Sequence, residues 1–184
     1  MRAGLLLNRL SIFPLARQFQ RSGLPLAEIF TFASGLYFRG KITYARRFAG
    51  EGDLIRLITT NAGLLHPTHH VTMQRLRAFG QVDIREDDPR FSEPLRRHAR
   101  AIKRHLGAEG MAILLGSIAT AKYRDVLLEV FGERLMFPSD FVGRGDMSRG
   151  GLLLKATRTG VELPYIAVQG AVFKGKRARR IAEM

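Results

Sequence analysis

The stretch RLMFPSDFVGRGDMSRGGLLLKA, residues 134–156, gathers several reactive side chains into one connection. Asp140 and Asp146 are carboxylates, the type of group that orients a water or accepts a proton. Arg144 and Arg149 present planar guanidinium groups suited to phosphate. Phe141 stands among polar residues and glycines, a poor setting for a core residue and a good one for a ring that wedges between bases. Ser148 is spaced to cap the leucine-rich helix that follows, and the glycines allow a nucleic-acid backbone to come close. The competing expectation is a long surface loop whose aspartates and arginines pair with one another.

A second loaded segment is GSIATAKY, which follows the apolar run MAILL and opens a helical pattern. Gly116 permits close backbone approach, Ser117 is a capping residue, the amides at a helix start suit an anion, and Lys122 adds charge. The segment has neither Walker nor G-x-G-x-x-G spacing, so no nucleotide cofactor is implied. A tight strand-to-helix turn accounts for it equally well. The third segment, TTNAGLLHPTHH, carries His66, His69 and His70. Adjacent histidines diverge on a helix or strand and no carboxylate sits at ligand spacing, which favours a polar loop rim over a metal. His98 and His105 read as the solvated face of a basic helix.

These segments must be held by elements the pattern also indicates. Helical spacing runs through SGLYFRGKITYARRFAG, with Tyr37 or Phe38, Ile42, Ala45 and Phe48 on the apolar side and Arg39, Lys41, Arg46 and Arg47 on other faces, a hairpin being the competing expectation. VTMQRLRAF, SEPLRRHARAIKRHLG, SIATAKYRDVLLEVFG and MSRGGLLLKATRTG are predicted helices, the second capped by Ser92. DLIRLITTN, QVDI, MAILLG, RLMFP and LPYIAV are predicted strands. The alternation predicts an α/β fold, a three-layer sandwich with a mostly parallel central sheet. In such sheets ligands gather at the carboxyl ends of the strands, so the three segments are expected to converge there.

Composition sets the outer bounds. The 184 residues include 30 Lys+Arg against 16 Asp+Glu, a formal net charge of +14, and no cysteine. Thiolate catalysis, disulfides and cysteine-ligated metal are excluded. The charge points to polyanions, nucleic acid first and an anionic membrane surface second. No segment approaches the ~20 apolar residues of a membrane span. Residues 1–25 hold Arg2, Arg9, Arg17 and Arg21 with no acid, and are expected to form a basic arm, although an organelle-targeting peptide has the same composition. Residues 26–169 are expected to form one α/β domain and residues 170–184 a basic tail. The default compartment is the cytoplasm.

Set in order, several of these pieces resemble the second half of the uracil-DNA glycosylase superfamily. LLGSIA (Gly116, Ser117, Ala119), FPSDF (Phe137 to Phe141), Arg144 with Gly145, GLLLKA and GVELPY stand where that family has a G-S-x-A turn, H-P-S-P-L, an R-G pair, a leucine-rich helix and a G-x-x-[ILP]-P segment. The resemblance implies a glycosylase-like fold, with Phe141 as the residue that enters the duplex and Ser139 as a phosphate contact. It also sets Asn61 where some branches hold a water. A looser likeness, through Gly63 to Pro67, runs to bacterial peroxide-stress DNA-binding proteins. Phe137 replaces the family's histidine and the G-Q-D-P-Y-H motif is absent. The expectation is therefore a DNA-binding protein, suited to damaged or distorted DNA. In it Phe141 inserts, Arg144 and Arg149 clamp phosphates, and Gly116, Ser117, Lys122, Ser139 and Ser148 complete the groove. The alternative is an N-glycosidase acting on a nucleic-acid base or nucleoside, with Asn61, Asp140 and Asp146 catalytic.

Overall fold

The computed structural model describes residues 3–50, 54–118 and 121–171. It is mostly helical. The helices are α1 (Ala3–Leu7), α2 (Pro14–Ser22), α3 (Leu26–Ser34), α4 (Leu36–Phe48), α5 (Met73–Phe79), α6 (Pro89–His105), α7 (Ala121–Phe131) and α8 (Asp146–Thr159). The strands are β1 (Leu24–Pro25), β2 (Leu57–Ile58), β3 (Leu64–Leu65), β4 (His70–Val71), β5 (Ala112–Ile113), β6 (Leu135–Pro138) and β7 (Tyr165–Ala167).

The expected mostly parallel central sheet is not formed. Among the described residues the strands make three small sheets: β1–β4 and β2–β3, both antiparallel, and β5–β6–β7, in which only the β5–β6 pair is parallel. The cause is local. Gly63 takes φ 65°, and Thr59 binds the Gly63 carbonyl through both its amide and its hydroxyl at 2.9 Å. That turn folds β3 back on β2, pairing Leu57 with Leu65, so β2 is held in a hairpin and does not extend the β5 ladder. The MAILL run, predicted as a fully buried strand, contributes only two ladder residues, and Ile113 is exposed. QVDI forms no strand.

Two apolar clusters hold the elements together. One joins Leu6, Phe19, Leu24, Ile29, Phe38, Val71 and Phe79. The other joins Tyr44, Phe91, Leu95, Leu135, Phe137, Phe141, Leu153 and Val168. Helix α4 feeds both, through Phe38 and Ile42 on one side and Tyr44 on the other. Burial of Leu6, Ala16, Phe19 and Leu24 makes the N-terminal segment part of the fold rather than a basic arm. Apolar spacing in residues 3–25 outweighs their positive charge. Residues 172–184, most of the expected basic tail, lie outside the described residues.

Helix α6 starts four residues earlier than Ser92 suggests. Asp88 caps it by accepting from the Arg90 amide at 2.9 Å, Pro89 occupies the first turn, and Ser92 and Pro94 fall inside. Helix α8 packs on α4 through a glycine pair, Gly40 against Gly150. That crossing places the start of α8 beside Tyr37 and Lys41 of α4, which is where the candidate site forms.

Candidate functional site

Tyr37 and Lys41 are four residues apart, so they share one face of α4. The Lys41 ammonium sits 3.9 Å from the centre of the Tyr37 ring, a cation–π contact in a partly desolvated setting. Burial holds the Lys41 amine down at about 8, with the Asp146 carboxylate opposing and the Arg149 guanidinium reinforcing that fall. The same burial pushes the Tyr37 phenol up to about 12, with Arg149 drawing it back. The Tyr37 hydroxyl is buried and makes no hydrogen bond of good geometry. Tyr123 faces the cluster from α7. Its hydroxyl meets the Ser117 backbone, burial raises its pKa, and Asp146 and Arg149 both act on it.

Two of the three expected loops therefore come together. The turn at Gly116 is closed by Tyr123: a Cβ on Gly116 would lie 2.8 Å from the Tyr123 hydroxyl, so a larger residue there would push the Tyr123 ring aside. The α8 start supplies Asp146 in its first turn, where a carboxylate suits the helix dipole. Lys41, Gly116 and Tyr123 also line a cavity of about 470 Å³ that continues inward past Tyr44, Phe48 and Leu114. On its wall the Tyr165 hydroxyl donates to Glu162 Oε1 at 2.7 Å and lies 2.7 Å from the Tyr44 hydroxyl, which in turn accepts from the Leu163 amide at 2.9 Å. Burial raises the pKa of both tyrosines. A small, mostly apolar cavity with a few convergent polar groups is the form that organic ligands use.

From the third loop, Leu64 lines the same cavity. Asn61 Nδ2 donates to the Ala78 carbonyl at 2.8 Å, tying the loop to the end of α5, and its Oδ1 is buried without a partner. Among the described residues Asn61, Asp140 and Asp146 share no hydrogen bond: Asn61 is held by α5, and Asp140 and Asp146 are exposed. His98, expected on a solvated face, accepts from the Leu64 amide at 3.1 Å. Among the described residues no group of three or more His, Cys, Asp or Glu side chains is placed to hold a metal ion.

Phe141 is the largest correction. It is 1% exposed and belongs to the core with Phe137 and Leu153, so it is not a wedge. A 3-10 turn over Ser139–Phe141 rotates the ring inward. Arg149 then covers it, its guanidinium 5.5 Å from the ring centre and its Nε donating to the Phe141 carbonyl at 3.2 Å. Phe141→Ala is expected to cost about 3–5 kcal/mol of stability, as for other buried phenylalanines. A urea titration reads this directly, and an unchanged midpoint would restore an exposed role for the ring.

The remaining candidates divide between scaffold and rim. The Ser139 amide donates to the Pro164 carbonyl at 2.9 Å, so this residue ties the end of β6 to the start of β7. Arg144 donates to the Asp140 carbonyl at 2.8 Å and to the Ser148 hydroxyl at 3.3 Å. Asp140, Asp146 and Ser148 are exposed. Gly145, with no side-chain cap, precedes α8, so Ser148 is not its cap. Arg149 has only 11% of its side chain exposed and lies 3.8 Å from Asp146, so it forms the floor of the crevice rather than a surface clamp. Lys122 is exposed at the rim, where the α7 backbone departs from helical geometry.

Sequence reasoning missed Tyr37, Lys41 and Tyr123. The available signal was the four-residue spacing of Tyr37 and Lys41, which also aligns them with Ala45 and Phe48 on the side of α4 that lines the cavity. Comparison with protein-family models, with curated proteins and with solved structures found no match for this chain, so the glycosylase resemblance rests on its short motifs alone.

Proposed function

We propose that this protein binds nucleic acid, DNA in the first instance, through the crevice between α4, α7 and the start of α8. One observation carries the reading: Lys41 and Arg149 are sunk beside Tyr37 and Tyr123, next to a cavity that Lys41, Gly116 and Tyr123 line. Cations beside aromatic rings are what single-stranded nucleic acid uses, phosphate on the charge and base on the ring. The formal net charge of +14 adds sequence-independent attraction for a polyanion.

The test is fluorescence anisotropy with single-stranded and duplex oligonucleotides across a salt series. Affinity should fall log-linearly with salt. Hydrogen exchange should show protection confined to residues 36–41, 116–123 and 144–150 when the oligonucleotide is bound. A footprint elsewhere, or one spread evenly over every basic surface, overturns the proposal.

A further inference from the structure

We propose that the loop between α1 and α2 seats the protein on an anionic lipid surface, independently of the crevice. Three large apolar side chains project there within four residues: Leu10 is 88% exposed, Ile12 76% and Phe13 50%. The loop is a built structure. Gln20 of α2 reaches across it, its Nε2 donating to the Leu6 carbonyl at 3.2 Å and the Asn8 carbonyl at 2.8 Å. Asn8 braces the turn by accepting from the Leu10 amide through its side chain and from the Ser11 amide through its carbonyl, both at 3.0 Å. The Arg17 amide closes on the Phe13 carbonyl at 3.1 Å. Ala16 and Phe19 anchor α2 to the core, so the tip cannot turn its apolar groups inward without unfolding the helix pair.

Charge identifies the occupant. Arg9 and Arg17 are exposed within four residues of the tip, Arg21 is exposed farther along α2, and no acid precedes Glu28 in the sequence. Apolar side chains ringed by arginines suit a bilayer interface, where the tip enters the acyl boundary and the guanidinium groups stay with the lipid phosphates. Nucleic acid matches the charge and offers no continuous apolar phase for three such residues. A second copy would set one cationic tip against another. No helix among the described residues is long and apolar enough to cross a membrane, so the contact is peripheral.

The experiment uses the full chain with sucrose-loaded phosphatidylcholine vesicles, with and without phosphatidylglycerol, at physiological salt. Wild type should pellet with the anionic vesicles. The neutral triple variant Leu10→Ser, Ile12→Ser, Phe13→Ser should bind them at least about tenfold more weakly, with its circular dichroism and oligonucleotide affinity unchanged. Because the chain has no tryptophan, Phe13→Trp gives a single reporter whose emission should shift to the blue on anionic vesicles. Equal pelleting of wild type and triple variant means attraction by charge alone and overturns the proposal. So does an unshifted tryptophan, or sedimentation showing a wild-type dimer that the triple variant dissolves.

Discussion

Gly40→Ala is expected to destabilise the protein by about 3 kcal/mol, at the upper end of overpacking costs, whereas Gly151→Ala is expected to stabilise it by roughly 0.5–1 kcal/mol. Both glycines lie inside helices, and the replacement raises helix propensity at both. The difference is what the new methyl group meets. At Gly40 it would lie 2.8 Å from the Gly150 carbonyl oxygen and 3.1 Å from the Gly150 Cα, backbone atoms that cannot rotate away. At Gly151 nothing lies within 4 Å. The reciprocal change, Gly150→Ala, would press on the Tyr37 Cα at 3.0 Å and the Leu36 carbonyl at 3.2 Å. For a chain of this length each kcal/mol moves the melting temperature by roughly 2–4 °C, so the two alanine variants should separate on a thermal scan with opposite signs. Equal melting temperatures would mean that α4 and α8 do not cross at these glycines. The crossing also sets the site, because moving α8 away from α4 carries Asp146 and Arg149 away from Tyr37 and Lys41.

How much of this was legible in the sequence depends on the length over which each element acts. Helices α4, α5, α7 and α8 are indicated by apolar spacing and by Gly132 and Gly160 at their ends, both with positive φ. The sheet was misread because strand propensity cannot tell which edge a strand will pair. RLMFP and LPYIAV form a real ladder, but β2 is taken up by its own hairpin through Thr59 and Gly63. At the site, the meeting of the Gly116 turn with the Asp146 helix start was legible, since each follows a strand of the same sheet. Phe141 was not. One aromatic among polar residues looks exposed until a single tight turn directs it inward. Lys41 was misread for a related reason: a charge on a helix is usually solvated, and only the packing of α8 over that face removes it from water.

Lys41→Met is expected to raise stability and weaken oligonucleotide binding together. The folded protein holds the Lys41 pKa at about 8 against a reference of 10.5, chiefly by burial, so its proton is held less tightly in the folded chain than in the unfolded one. Below pH 8 the protein bears the full cost of that buried charge. Between about 8 and 10.5 the unfolded chain keeps a proton that the folded chain has released, and the cost disappears as pH rises. A methionine of similar length removes the charge and keeps the packing. The variant should therefore gain roughly 1–3 kcal/mol near neutral pH, after discounting for the part of the side chain in water. It also forfeits a cation–π contact of about 1 kcal/mol. The gain should shrink toward zero at alkaline pH. Binding should move the other way. Loss of one charge-assisted phosphate contact should weaken oligonucleotide affinity about 10- to 100-fold and flatten the salt dependence by about one charge. Wild-type affinity should decline above pH 8 as Lys41 loses its proton, and the variant should lack that decline. Parallel chemical denaturation and anisotropy titrations over this pH range read both effects. A variant that is less stable than wild type at neutral pH while binding oligonucleotide equally well would make Lys41 a structural residue and leave the crevice without its phosphate contact.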